Sequence, residues 1–259
     1  MKVVILAGGY GTRIRDVADD IPKPMIPIGP YPILWHIMKS YAYFGHKEFI
    51  ICLGYKGDLI KDFFLNYEAY TRDFTISFGS NASVSYHNSH DESDWKVTLA
   101  DTGIRSMTGA RIARIRKYIG DENFMLTYGD GVSDVDMNQL IAFHKSHGKV
   151  LTVTGVRTPG RFGEMIGEVD GRIIGFNEKP KASAGGRISG GFFVASSKLF
   201  DYLDHREDLV FEQDPIHQLV EERQLMMFEH DGFWQPMDTS REYQLLTTLY
   251  EKGKAPWIR

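Results

Sequence analysis

The sequence predicts an α/β fold: a Rossmann-like, mixed but mainly parallel sheet flanked by helices, with small β-hairpin excursions and a helical C-terminal subregion. Three observations point there. Short apolar runs of strand length alternate with segments of helical periodicity through most of the first two-thirds of the chain. The runs Val3–Leu6 and Phe49 to Leu53 are continuously apolar, as buried strands are. Turn residues at the ends of these runs, such as Gly8-Gly9-Tyr10-Gly11, mark where each strand stops.

Taken in order, Val3–Leu6 is a strand, and 33–44 is a helix that starts after Pro32. Residues 48–53 form the next strand, and 58–67 a helix entered after Gly57. Segment 75–101 alternates polar and apolar residues around Asn and Ser turns, with a polar tip at His87 to Asp91; it reads as strands and a long excursion. Ile112, Ile115 and Ile119 give 109–119 an amphipathic helical face. Residues 124–128 make a strand that delivers Gly129-Asp130-Gly131 at its carboxyl end. A helix at 137–147 and a strand at 150–156 continue the alternation, and Asp170-Gly171 suggests a hairpin over 163–178. The C-terminal part returns to helices at 214–223 and 241–252. With no internal repeat or low-complexity linker, the 259 residues read as one domain, a core over 1–232 and a subregion over 233–259.

Apolar residues make up 42% of the chain and charged residues 25%, an ordinary globular balance. A formal net charge of -4 argues against a general nucleic-acid surface, though not against a local basic pocket. No apolar run reaches the roughly 18 residues of a membrane span, and the N-terminus lacks the pattern of a signal peptide. The single cysteine, Cys52, cannot form an internal disulfide and reads as a small buried hydrophobe in a reducing, cytoplasmic setting. The pairs His87/His90 and His144/His147 lack the supporting ligands of a zinc site and read as solvated loop or helix-face residues.

The stretch from Val3 to Met25 carries the most information. Glycines at 8, 9 and 11 let backbone N–H groups approach an anion, and Arg13 and Lys23 add positive charge. Pro22 and Pro24 restrict the backbone around Lys23 and pre-position its side chain. This is a polyphosphate site, but neither of two common kinds. A P-loop places Lys-Ser or Lys-Thr directly after its last glycine, whereas Thr12-Arg13 follows Gly11. A dinucleotide fingerprint has a third glycine where this chain has Ile14, and a carboxylate about 20 residues on that is missing. Asp130, between glycines at a strand end, and Asp238, after Trp234-Gln235-Pro236-Met237, offer the hard oxygens that suit Mg2+; an aspartate in a glycine turn also serves simply as a turn residue.

LAGGYGTR followed by PKPM resembles the opening signature of the sugar-1-phosphate nucleotidylyltransferases. The resemblance runs along nearly the whole chain, through Tyr128-Gly129-Asp130-Gly131, Glu178-Lys179-Pro180 and Gly190-Gly191-Phe192-Phe193-Val194, and Ser106-Met107-Thr108-Gly109, Pro159-Gly160-Arg161-Phe162-Gly163 and Phe233 to Thr239 narrow it to glucose-1-phosphate cytidylyltransferases. It implies a single nucleotidyltransferase domain whose C-terminal subregion contributes Asp238. It also implies CTP and a sugar 1-phosphate as substrates, Mg2+ on Asp130 and Asp238, and a homo-oligomer such as a hexamer with loops such as 101–111 near a subunit boundary. Arg13, Lys23 and Asp130 are the expected catalytic residues, with Lys23 on the α-phosphate and Arg13 on the β- and γ-phosphates. Nucleotide binding is expected from Leu6, Gly8, Gly9, Gly11, Thr12, Thr108, Gly109 and Arg111, the last either reaching phosphate or base or lying on the surface. Sugar-phosphate binding is expected from Tyr128, Glu178, Lys179, Ser189, Gly190 and Trp234; Tyr128 and Trp234 have plain core packing as the alternative. The resemblance departs at Ser189, where the cytidylyl pattern has Asn, and the loop before it carries an unusual Arg187. A shorter, rotating hydroxyl replaces an amide that both donates and accepts, which leaves open another sugar 1-phosphate. UTP or dTTP in place of CTP, and a non-catalytic nucleotide-binding homologue, are the other readings.

Overall fold

In the computed structural model, residues 1–10, 20–80, 82–157, 164–167, 173–177 and 186–259 are described. The centre is a seven-stranded sheet of β1 (Val3–Leu6), β2 (Glu48–Leu53), β3 (Lys96–Asp101), β4 (Phe124–Tyr128), β5 (Leu151–Val156), β6 (Ile188–Ala195) and β7 (Leu225–His230). Their order across the sheet is β7-β5-β6-β4-β1-β2-β3. Only β6 runs against its neighbours; the β1 pairs with β2 and β4, the β2–β3 pair and the β5–β7 pair are parallel. The expected mixed, mainly parallel sheet is therefore present.

Both faces of this sheet are covered, which is why β1 and the Phe49 to Leu53 run of β2 are continuously apolar. In β1, Val3 and Ile5 face one core and Val4 and Leu6 the other. The first core takes in helices Ile33–Tyr43, Met137–His147 and Ser240–Glu251, and Trp257 at 1% exposure. Trp257 stacks on Phe233 with ring centroids 5.5 Å apart, so the C-terminal segment is packed back into the body. The second core is closed by Ile112, Ile115 and Ile119, by Leu199 and Phe200, and by Leu219 of helix Asp214–Glu221.

Several boundaries differ from those the sequence suggests. The helix expected over 109–119 is two, Thr108–Arg114 and Arg116–Ile119. The turn tightens at Ile115, whose N–H donates to Ile112 O, and the change keeps all three isoleucines buried. The helix expected over 58–67 ends at Leu65 because the Asn66 side chain bonds back to Asp62, and a short helix, Tyr67–Thr71, follows. Strand β7 was not anticipated: it is a sheet edge whose half-exposed Met226, Met227 and Phe228 lack the apolar continuity of the central strands. The excursion after residue 71 contains an exposed hairpin, Phe74–Ser77 with Ser83–Tyr86. Within 163–178, Glu164–Gly167 and Ile173–Asn177 pair antiparallel, as a hairpin does.

The histidine expectation needs correction. His144 is buried at 3% exposure, and its ring and that of His147 each lie 2.8 Å from Thr152 Oγ1. His90 is held between Glu68 and Glu92; only His87 of the four is fully exposed. Cys52 is buried, as expected, and burial pushes its thiol up to about 12. Among the described residues no helix is long and apolar enough to cross a membrane.

Candidate active site

A cleft of about 370 Å³ opens beyond the carboxyl ends of β1 and β4, where ligands bind in open α/β sheets. β1 supplies Leu6 and the turn through Gly8 and Gly9; β4 supplies Tyr128, Gly129 and Asp130; and the Pro22-Lys23-Pro24 turn approaches between them. That approach depends on Gly129. A Cβ there would lie 3.0 Å from Leu6 O and 3.2 Å from Pro24 Cγ, so a side chain would push the lysine turn out. Pro22 enters in extended conformation and Pro24 is buried, which fixes the 3-10 turn Lys23–Met25.

Lys23 and two aspartates converge in this cleft. Lys23 Nζ donates to Asp130 Oδ2 at 2.6 Å and to Asp238 Oδ1 at 2.5 Å. A short ladder brings the distant Asp238 there. Gly131–Ser133 pairs antiparallel with Trp234–Pro236, and the Met237 N–H extends the pairing by donating to Asp130 O at 2.8 Å. The approach to Asp238 is thus a strand, Trp234–Pro236. A capping box then anchors the next residues: Glu242 Oε2 accepts from the N–H groups of Asp238 and Thr239, and Thr239 caps helix Ser240–Glu251. Burial works against the lysine's charge, but Asp130 and Asp238 outweigh it by charge and hydrogen bonding, and its pKa lies above the ordinary lysine value. The ammonium is therefore charged at any neutral pH.

Two carboxylates aimed at one small volume, beside a turn shaped for phosphates, fit a hard divalent cation. Such an ion takes one or two protein carboxylates and completes its shell from substrate phosphates and water. Among the described residues no cluster of three or more His, Cys, Asp or Glu side chains could hold a metal without a substrate.

Arg111 is neither on the surface nor extended into the cleft. It is 4% exposed, and its guanidinium donates to Gly8 O, Leu53 O, Gly103 O and Thr102 Oγ1 at 2.8 to 3.0 Å. It ties together the loops that leave β1, β2 and β3 and forms part of the cleft floor. Thr108 reaches the cleft. Gly109 lies one residue deeper, where its N–H donates to Leu209 O and leaves no room for a side chain.

Ser189, Gly190 and Trp234 lie together on the far side of Tyr128 from Gly8. Trp234 Nε1 donates to Gly190 O at 2.7 Å, and Ser189 is an exposed residue of β6 opposite Gly155. Gly191 has φ +77, and its missing side chain makes room for the Tyr128 ring, which a Cβ would meet at 2.4 Å. Arg187 is a strut to the end of β7, donating to Gly155 O, His230 O, Glu229 and Asp231. Gly11, Thr12, Arg13, Glu178 and Lys179, with the Pro159 to Gly163 and Glu178 to Pro180 motifs, lie outside the described residues.

Three contributors escaped the sequence reading. Tyr10 lines the cleft as the one side chain inside the glycine turn, and Arg105 from a loop with no recognisable spacing. Glu212 accepts from Thr108 Oγ1 at 2.7 Å and, in a short hydrogen bond, from the Tyr128 hydroxyl.

Residues 2–245 match the nucleotidyl transferase family, and the chain belongs to it. The resemblance drawn from the motifs is borne out among full-length relatives. The chain is 49% identical to a glucose-1-phosphate cytidylyltransferase of Salmonella typhi, covering 99% of this chain and 98% of that one. It is 42% identical to a probable glucose-1-phosphate cytidylyltransferase of Bacillus subtilis (strain 168), covering 99% of each. Among solved structures, a UDP-glucose pyrophosphorylase complexed with UDP-glucose superposes with a TM-score of 0.69, at 16% identity over 97% of this chain and 98% of that one. At that identity the likeness is one of fold.

Proposed function

We propose that the protein transfers the cytidylyl group of CTP to α-D-glucose 1-phosphate, giving CDP-glucose and pyrophosphate. The observation that carries this reading is the convergence of Lys23, Asp130 and Asp238 beside the Gly8-Gly9 turn. The two cytidylyltransferase relatives supply the choice of substrates.

The chemistry accounts for what the cleft contains. A sugar phosphate, with a second pKa near 6, is already ionised at neutral pH, so its oxygen attacks the α-phosphorus of CTP without a general base. The new P–O bond forms in line as the bond to the β-phosphate breaks, and pyrophosphate leaves with that electron pair. The barrier lies in bringing anions together and in the charge developing on the α-phosphoryl group and leaving group. Lys23 answers it as a point charge at the α-phosphate, and Arg13 as a forked donor at the β- and γ-phosphates. Asp130 and Asp238 are the residues that would hold Mg2+, which when bound supplies charge neutralisation at the triphosphate. Tyr128 and Trp234 wall the sugar side, with Glu178, Lys179, Ser189 and Gly190 as its polar contacts. Leu6, Gly8, Gly9, Gly11, Thr12, Thr108 and Gly109 serve the nucleotide, and Arg111 holds the Gly8 carbonyl.

The chain works as one catalytic domain in which 233–259 provides Asp238. The setting is cytoplasmic, in keeping with one buried cysteine, and the working state is a homo-oligomer such as a hexamer, which light scattering on the purified protein checks. The decisive assay is pyrophosphate release in Mg2+ with CTP, UTP or dTTP against a panel of sugar 1-phosphates. CTP with glucose 1-phosphate should give the highest kcat/KM. Tight CTP binding with no turnover on any sugar phosphate would make the protein a non-catalytic binder. A different sugar at the top would place specificity near Ser189.

A further inference from the structure

Segment 207–212 is docked along the turn that starts helix Thr108–Arg114. The Met107 N–H donates to Glu207 O at 2.8 Å, the Gly109 and Ala110 N–H groups donate to Leu209 O at 2.9 and 3.2 Å, and the Phe211 N–H donates to Thr108 Oγ1 at 2.9 Å. Glu212 completes the contact and extends it to a second element. One of its carboxylate oxygens accepts from Thr108 Oγ1 and the other from the Tyr128 hydroxyl at the end of β4. Thr108 and Tyr128 both line the cleft, and Glu212, an exposed residue, bridges their hydroxyls.

These bonds decide what each hydroxyl can offer a substrate. A hydroxyl has one proton to give. Thr108 gives its proton to Glu212 and accepts from Phe211, so one lone pair remains. Tyr128 gives its only proton to Glu212 and keeps the acceptor side of its oxygen and its ring. The phenol also stays neutral, because burial and then the adjacent Glu212 charge push its pKa far above the usual tyrosine value. Hydrogen bonds to a charged acceptor are the stronger kind, and each hydroxyl is held by its own oxygen of the carboxylate.

We infer that Glu212 is a positioning residue for the reaction. It holds Thr108 on the nucleotide side and Tyr128 on the sugar side in one fixed arrangement, and it makes Tyr128 a wall and acceptor rather than a donor to the sugar phosphate. The inference rests on the cleft being the site of the proposed transfer.

The test uses the full chain as wild type, Glu212→Gln, Glu212→Ala, Tyr128→Phe and the Glu212→Ala/Tyr128→Phe pair. It measures pyrophosphate release with CTP and glucose 1-phosphate varied in turn, CTP affinity by calorimetry, and melting temperature. Glutamine can accept from Tyr128 through its carbonyl and donate to the remaining lone pair of Thr108 through its amide. Glu212→Gln should therefore keep kcat/KM within about threefold of wild type, while Glu212→Ala loses about tenfold or more. Tyr128→Phe added to Glu212→Ala should cost less than about a further twofold, since that hydroxyl has already lost its partner. The inference is overturned if Glu212→Ala stays within about twofold of wild type, if Gln and Ala lose equally, or if the two losses multiply. A loss matched by a fall in melting temperature under assay conditions also overturns it. Should wild type release no pyrophosphate with any substrate, the functional reading fails, and CTP affinity across the same proteins still decides the part played by Glu212: weaker in Ala and restored in Gln supports it, unchanged in Ala refutes it.

Discussion

Replacing Lys23 by alanine tests the centre of the site. The two carboxylate oxygens that share its ammonium lie no further apart than the two bond lengths allow, about 5 Å. Without the lysine, two negative charges face each other at that separation. At an effective dielectric constant near 20 their repulsion is about 3 kcal/mol, and the partial exposure of both aspartates, 34% and 32%, brings it down through solvent screening. In buffer without divalent ions, Lys23→Ala should lose on the order of 1–3 kcal/mol of stability. Adding Mg2+ should then stabilise the variant more than wild type, because the ion no longer shares the carboxylates with an ammonium. Turnover should fall separately. Loss of one fixed donor at the reacting phosphoryl group costs roughly 3–4 kcal/mol of transition-state stabilisation, or about 10²–10³ in kcat. Differential scanning calorimetry with and without Mg2+ reads the first effect, and pyrophosphate release at saturating CTP reads the second. Equal Mg2+ stabilisation in both proteins would refute the shared-carboxylate argument. A higher KM with unchanged kcat would reduce Lys23 to uniform substrate binding.

Asp130→Asn keeps the side-chain shape and removes the charge, so kcat should drop by about 10²-fold or more with an unchanged circular dichroism spectrum; EDTA should abolish wild-type activity, and near-normal turnover of the variant would reject the metal-ligand role. Glu242→Ala removes the acceptor for the Asp238 and Thr239 N–H groups; it should cost about 1 kcal/mol of stability and weaken Mn2+ binding in the presence of CTP, and unaltered Mn2+ affinity would show that the cap does not place Asp238. His144 titrates near 4 rather than 6.5, chiefly through burial and then the charge on His147, so the unfolded chain takes up its proton first as pH falls. Its contribution to stability is complete above about pH 6.5 and is lost progressively toward pH 4, on the order of 2–3 kcal/mol. His144→Gln should show a flatter melting-temperature profile between pH 7 and 4.5; parallel profiles would contradict the assignment.

The parts of the fold that could be read from the sequence are those where burial leaves a pattern. Val3–Leu6, Phe49 to Leu53 and Phe124 to Leu126 are apolar throughout because each is covered on both faces. β7 was not legible, since an edge strand of half-exposed residues carries no such signal. The site shows the same division. Prolines around Lys23 and glycines around Asp130 announce constrained backbone, and the motifs announce which side chains matter. How Asp238 reaches Asp130 could not be read, because three residues including Pro236 form the connecting ladder. Arg111 sits on an amphipathic helix where periodicity gives only a face; that its guanidinium turns inward to three strand-end loops is decided by tertiary carbonyls. Glu212, 84 residues from the tyrosine it holds, has no local signature at all.

How an acidic protein holds a nucleoside triphosphate follows from where its buried cations find their partners. The chain carries a net charge of -4, yet Lys23 and Arg111 place two cations in the cleft lining. Lys23 is outnumbered by two carboxylates, and the excess negative charge is one a divalent ion arriving with a triphosphate would offset. Arg111 differs: all its hydrogen bonds among the described residues go to carbonyl and hydroxyl oxygens, which orient the guanidinium without cancelling its charge. Burial lowers its pKa below the ordinary arginine value, but a guanidinium remains protonated at neutral pH. A full positive charge thus lies in low dielectric directly behind the Gly8 turn, where its field is least screened and is felt by any anion seated on that turn. The same side chain fixes the turn and charges it, which a lysine, with no planar fork to span three carbonyls, could not do.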